Sequence, residues 1–210
     1  YADAIEKQFI ARDMKWNLGH NLTAVDFEKK IEIFDKHWEE QGEFDKDLNE
    51  YAKVTKHLDV EAPFDFLHVT PPQKAPDEIG KSPIGSAKGW VPVDKETLQH
   101  VKYKNIFAIG DIAAVPMAKT GGTVRKQYKV LVENLISVME GKEPTAKYAG
   151  YTVCPLITDI GKVMLAEFDW TAKPTPSFPL DPTQERYIWW LLKVYLLKPM
   201  TQYGMLSGKA

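Results

Sequence analysis

Cysteine is almost absent from this chain: Cys154 is the single one among 210 residues. One thiol excludes an internal disulfide framework and a cysteine-based zinc site. Excess basic charge is missing too. The 27 Lys and Arg against 29 Asp and Glu leave a formal charge of -2, with no sign of a nucleic-acid footprint. No apolar run reaches the roughly 20 residues needed to cross a bilayer. The nearest, Tyr187 to Leu197, holds Lys193 in its middle. There are no internal repeats or low-complexity tracts, and no Gly-x-Gly-x-x-Gly turn between a strand and a helix. The start, Tyr1-Ala2-Asp3-Ala4-Ile5-Glu6-Lys7, lacks a signal-peptide pattern and already reads as helix. With no initiating Met, the chain is expected to be a piece of a longer protein.

What is present is a globular composition, 44% hydrophobic and 27% charged, long enough for one large or two small domains. Ile5, Phe9 and Ile10 predict a helix over Ala2 to Asp13. Trp16 to Val25 and Lys29 to Phe34 read as strands joined at Asp26-Phe27-Glu28, and Lys36 to Asp47 as a charged surface loop without a period. Tyr51 to Leu58 and Phe64 to Val69 read as further strands. The prolines of Thr70 to Pro76 then break regular structure and mark a candidate domain boundary.

Beyond it, Gly89 to Asp94 suggests a short strand and Ile106 to Ile109 a buried parallel one. Gly121-Gly122 opens a helix from Thr123 to Glu140, with Val124, Tyr128, Leu131, Val132, Leu135 and Val138 as its apolar face and Gly141 as its stop. Tyr151 to Thr158 and Lys162 to Phe168 form a hairpin through Asp159-Ile160-Gly161. The proline-rich Lys173 to Pro182 leads into the aromatic C-terminal helix. Two adjacent tryptophans, Trp189 and Trp190, with Lys193 and Lys198 alongside, suit either a buried core helix or one lying in a membrane interface.

Chemistry concentrates at three places. Asn105 to Asp111 puts a carboxylate at the end of an apolar run, where ligands of open α/β sheets bind. Asp111 can accept hydrogen bonds from sugar or ribityl hydroxyls, and Gly110 allows close approach. The glycine pair after Lys119-Thr120 opens a helix whose free N–H groups and dipole favour negative charge. Arg125 and Lys126 read as an ordinary solvated face. Cys154 lies in a strand pattern, Tyr151-Thr152-Val153-Cys154-Pro155-Leu156; free cysteines default to core packing.

Taken in order, Ala75-Pro76-Asp77, Gly89-Trp90-Val91-Pro92-Val93-Asp94 through His100, the Ile109-Gly110-Asp111 strand end, Lys119-Thr120-Gly121, Gly150 to Leu156, Leu165-Ala166-Glu167-Phe168-Asp169 and Phe178-Pro179 resemble the C-terminal half of sulfide:quinone oxidoreductases. The resemblance runs along essentially the whole chain. It implies an α/β, Rossmann-like flavoprotein with two dinucleotide-binding domains and FAD as cofactor. Residues 1–68 would end the NAD-like middle domain, 69–145 would return to the FAD domain, and 146–210 would carry the redox cysteine and an amphipathic, membrane-associated region.

The family passes electrons from sulfide, through a cysteine persulfide and FAD, to a membrane quinone. By resemblance Cys154 is the C-terminal member of the redox pair. Gly110, Asp111, Lys119, Thr120 and Gly121 touch the flavin, and Val153, Trp190 and Tyr195 are candidates for the quinone pocket. Interface anchoring then becomes the better reading of the C-terminal helix, on a bacterial cell membrane or a mitochondrial inner membrane. Sulfide, quinone, the membrane surface and the absent N-terminal half are the implied partners, homo-oligomers are allowed, and nucleic acid is not among them. No metal is called for.

The departures are the missing glycine fingerprint for the FAD pyrophosphate and the missing second cysteine. The chain alone is therefore expected neither to hold FAD tightly nor to oxidise sulfide. Two alternatives stand: a related NADH:quinone-type membrane flavoprotein, which needs no thiol, and a non-catalytic membrane-docking or interaction module.

Overall fold

A computed structural model describes residues 1–46 and 49–208, with mixed α/β architecture and two antiparallel sheets. The chain divides into two compact units, residues 9–72 and residues 1–8 together with 73–210. Helix α1 (Ala2–Ala11) carries the chain from one unit into the other.

Residues 9–72 form an antiparallel meander of β1 (His20–Asp26), β2 (Ile31–Asp45) and β3 (Glu50–Pro63). The first turn forms because Asp26 Oδ1 accepts from the N–H groups of Glu28 and Lys29, at 3.1 and 2.9 Å. The charged segment expected as a loop from Lys36 is strand as far as Asp45; Asp47 lies outside the described residues. The ribbon needs no apolar face there. Backbone pairing holds it, with cross-strand partners such as His37 with His57 and Trp38 with Lys56, and an ion pair from Lys53 to Glu39 at 3.0 Å. A ribbon solvated on both faces carries no hydrophobic period to read. The strand expected at Phe64 to Val69 is absent: the ladder stops at Pro63, and the chain beyond is irregular with Phe66 exposed.

In the second unit a short helix α2 (Asp77–Gly80) leads to an irregular segment tied by single bridges, Val91 to Ala113, Val93 to His100 and Gln99 to Phe107. Val91, Val93, Ala108 and Ala113 form its small core. The buried parallel strand expected at Ile106–Ile109 does not form. Phe107 makes one antiparallel bridge, to Gln99, and Ala108 donates to Leu98 O. A parallel strand needs a neighbour delivered by a crossover, and the neighbour here is the adjacent Asp94–Gln99 turn.

Helix α3 (Gly121–Met139) starts at Thr120, whose hydroxyl accepts from Thr123 N at 3.2 Å. It ends in a Schellman arrangement, with Lys142 N donating to Ser137 O and Gly141 N to Val138 O. The expected apolar face is only partly the packed one. Thr123, Gln127 and Asn134 are buried, whereas Val132 is 47% exposed and Leu135 36%; Val124, Tyr128, Leu131 and Val138 are half-buried. Beyond its first turn the helix rests on loops rather than on a sheet, and loops offer unpaired backbone groups. Asn134 answers them: its amide donates to Thr97 O and Ala146 O, and its carbonyl accepts from Ala146 N, all at 2.9 Å.

The hairpin β4 (Thr152–Asp159) and β5 (Lys162–Phe168) forms as expected. β5 is buried on both faces. Its Glu167, fully enclosed, accepts from Tyr151 Oη at 2.6 Å, Ser177 N at 2.9 Å and Ser177 Oγ at 2.6 Å. Tyr148, also buried, donates to Tyr151 O at 2.5 Å. The C-terminal segment alternates α4 (Tyr187–Leu191), a wider π turn at Leu192–Leu196, α5 (Leu197–Pro199) and a second π turn at Met200–Met205. Among the described residues no helix is long and apolar enough to cross a membrane.

Two outcomes follow from this packing. Asn134→Ala leaves buried backbone groups of Thr97 and Ala146 without partners and should lower unfolding stability by about 3 kcal/mol. Val132→Ala on the same helix should change it by less than about 0.5 kcal/mol, both read by urea titration. Burial pushes the phenols of Tyr148 and Tyr151 up to about 12, and the hydrogen bond from Tyr151 to Glu167 adds to the effect. The folded state therefore prefers these phenols protonated. That stabilisation is complete below the ordinary tyrosine value of 10.0 and is lost as pH rises from there to about 12. A phenolate absorbance titration should show two late tyrosines, and Tyr151→Phe should remove one.

Candidate functional site

Cys154 departs from the default for a lone thiol: it is exposed. It sits on β4 opposite Ala166, in a register that runs without a bulge from Thr152 to Ile157. The strand reaches this place through a direct contact with the first turn of α3. A Cβ added to Gly122 would lie 2.1 Å from Val153 Cγ1, so only glycine lets the strand come so near. Beside that contact lies a buried hydroxyl cluster. Thr123 Oγ1 is 2.9 Å from both Ala118 O and Thr152 Oγ1, and Thr120 Oγ1 lies 3.1 Å from the Thr123 hydroxyl.

Gly121 is the open position of this turn: a Cβ there would meet nothing within 4 Å. The first N–H groups of a helix have no partner inside it, and the dipole adds positive potential. An anionic or electron-rich group fits that opening.

Gly110 and Asp111 lie in a 3-10 turn, Gly110–Ile112. Gly110 takes φ +69° and donates its N–H to Gln127 Oε1 at 2.8 Å, which fastens the turn to the second turn of α3. The Asp111 carboxylate is exposed. Lys119 folds back: its ammonium donates to Ala113 O at 2.8 Å and lies 4.4 Å from the centre of the Trp90 ring. Burial pushes its pKa below the ordinary lysine value, while the charge of Asp111 acts in the opposite direction.

Val153 and Trp190 pack against one cluster, Val163, Leu165 and Trp189. Tyr195 is not part of it and is 67% exposed. The two tryptophans part company as well. Trp189 is 6% exposed and packs at a tilt against Phe178 with ring centres 4.9 Å apart, so it belongs to the core and not to a membrane-facing surface. Adjacent helical residues point about 100° apart, so one of the pair turns inward. The exposed apolar residues of this segment are Tyr187, Ile188, Val194, Tyr195, Leu196, Tyr203 and Leu206.

The structure thus gathers Thr120, Gly121 and Val153 at the contact between α3 and β4, with Cys154 the next residue along β4 and Gly110 pinned to the same helix. Sequence reasoning missed Thr123, Gln127, Thr152, Trp90 and Glu167. The Thr120–Thr123 spacing, a capping pattern, was the one local signal for any of them.

Three relatives match almost the entire chain. The mitochondrial sulfide:quinone oxidoreductase of Mus musculus is 40% identical over 211 residues, covering 99% of this chain and 43% of the mouse protein. That of Dictyostelium discoideum is 35% identical over 210 residues, covering 100% of this chain and 42% of its own length. That of Schizosaccharomyces pombe is 36% identical over 200 residues, covering 92% and 40%. The chain therefore spans less than half the length of these relatives. No family model matches it. Among solved structures, a chain of the cryo-EM structure of Tetrahymena thermophila mitochondrial ATP synthase superposes with a TM-score of 0.70 at 21% identity, over 96% of this chain and 45% of that one. At that identity the likeness speaks for the fold alone. Along its whole length, the chain is homologous to the sulfide:quinone oxidoreductases.

Proposed function

We propose that the chain is the C-terminal part of a sulfide:quinone oxidoreductase, in which Cys154 is one of two redox thiols and FAD and quinone meet the surfaces described above. The observation that carries the proposal is the exposed thiol of Cys154, one residue beyond the point where β4 touches the opening turn of α3. A thiol that must exchange sulfur needs access, and an exposed position on a fixed strand offers it. In such an enzyme Cys154 shares a sulfur bridge with a cysteine outside this chain. Attack by hydrosulfide on that bridge breaks a sulfur–sulfur bond, leaving a persulfide on one cysteine and a thiolate on the other.

The residues present fit the ring and ribityl end of a flavin, and not its pyrophosphate. Exposed Asp111 would accept hydrogen bonds from ribityl hydroxyls, and the open Gly121 turn would hold an electron-rich part of the ring. Lys119 adds positive charge from its seat on Ala113 O and Trp90. Bound FAD supplies the two-electron carrier between sulfur and quinone. Val153 and Trp190 offer an apolar wall for the quinone, and Tyr195 belongs to the exposed apolar face that meets the membrane surface. The pyrophosphate site, the partner cysteine and the remaining dinucleotide-binding layers come from outside the chain, so the chain alone is inactive.

In the full-length enzyme, Cys154→Ala should lower sulfide-dependent quinone reduction by about three orders of magnitude or more, with flavin content unchanged. Full activity in that variant, alongside NADH oxidation, would instead favour a thiol-independent flavoprotein. Ile188→Glu with Tyr195→Glu should abolish co-sedimentation with phospholipid vesicles while leaving the core intact. Unchanged sedimentation would remove this face from the membrane contact.

A further inference from the structure

Thr152 stands two residues before Cys154 and is the one fully buried position of β4. Strand alternation puts Thr152 and Cys154 on the same face, and the register between them, Thr152 to Phe168 and Cys154 to Ala166, is unbroken. A valine would fill the same shape and suit a strand as well, yet the position holds a hydroxyl, whose burial costs free energy unless it is bonded. The bond is made to α3. Thr123 Oγ1, also 2.9 Å from Ala118 O, donates to Thr152 Oγ1 at 2.9 Å, and the Thr152 hydroxyl in turn points to Ala118 O at 3.5 Å. Thr120 Oγ1 lies 3.4 Å from the same Thr152 oxygen.

We propose that Thr152 is a positioning residue for Cys154: its buried bond to Thr123 sets the distance of the thiol-bearing strand from the opening turn of α3. The proposal rests on the assignment of Cys154 as a redox thiol. The bond is a spacer as well as an attraction. A methyl group in place of the hydroxyl would need about 3.5–4.0 Å from the Thr123 oxygen, so the start of β4 would move outward by up to about 1 Å. At the neighbouring residue the strand has no slack inward, because Val153 is already in contact with Gly122. A straight register carries the shift to Cys154. Misplacement of a reacting group by about 1 Å can cost on the order of 100-fold in rate.

The test compares Thr152→Val, Thr152→Ser and Cys154→Ala with the unaltered full-length enzyme. The valine variant should lose at least about tenfold in kcat for sulfide-dependent quinone reduction, with the KM for quinone within about twofold and the unfolding midpoint unchanged. Its Cys154 should react with iodoacetamide at a rate altered by about threefold or more, followed on the Cys154 peptide by mass spectrometry. Serine, which keeps the hydroxyl, should restore both readings. The proposal is overturned if valine matches the unaltered enzyme while Cys154→Ala is inactive. Equal impairment by valine and serine also overturns it, as does a loss of activity that follows a lowered unfolding midpoint with alkylation unchanged. Retained activity in Cys154→Ala defeats the redox assignment instead, and the alkylation rates then still decide whether Thr152 sets the surroundings of the thiol.

Discussion

Helix α3 is held by hydrogen bonds from its buried side chains to backbone that no sheet satisfies. The segments on either side of it, Gly89 to Thr120 and Gly141 to Gly150, make only bridges and turns. Their N–H and C=O groups need partners once buried. Gln127 serves Gly110, Asn134 serves Thr97 and Ala146, and Thr123 serves Ala118. An apolar helix face could bury area against these loops but could not pair their backbone. The order of priorities is therefore inverted from that of an ordinary amphipathic helix, where apolar residues face inward.

That inversion also builds the candidate site. Two of the three buried polar residues of α3 fix a piece of it: Gln127 the glycine ahead of Asp111, and Thr123 the strand that carries Cys154. The opening turn can then be left free of side chains, with Gly121 open and Gly122 against Val153. A longer side chain at Gly122 would separate strand from helix, whereas a side chain at Gly121 would project into the open space beside the first N–H groups. Glycine at each position thus answers a different requirement, one of contact and one of vacancy.

How much of this was legible in the sequence varied with the kind of signal. The β4–β5 hairpin and the limits of α3 were visible because apolar patterning was punctuated by Gly161, Gly121 and Gly141. The outer half of β2 was not, since a ribbon wet on both faces leaves no period. Trp189 and Trp190 looked equivalent as letters, and only helical phase separates a core residue from its neighbour. Cys154, Asp111 and Lys119 could be picked out by type and by family resemblance. Thr152, Gln127 and Glu167 could not, because a polar side chain becomes structural only through a partner the fold brings from elsewhere in the chain.

The same logic bears on why a thiol so close to a packed contact is itself exposed. Had β4 been buried on both faces like β5, Cys154 would be an inert core residue, screened from solvent. Anchoring falls instead on its neighbours: Tyr151 is tied to Glu167, Thr152 to Thr123, and Val153 rests on Gly122 and the Trp189 cluster. Three successive residues are fixed so that the fourth can be both placed and reachable. The redox role proposed for Cys154 needs that combination. The thiol must meet a mobile reactant from solution, yet return each time to the same position before a fixed acceptor, and neither a flexible loop nor a filled core provides both.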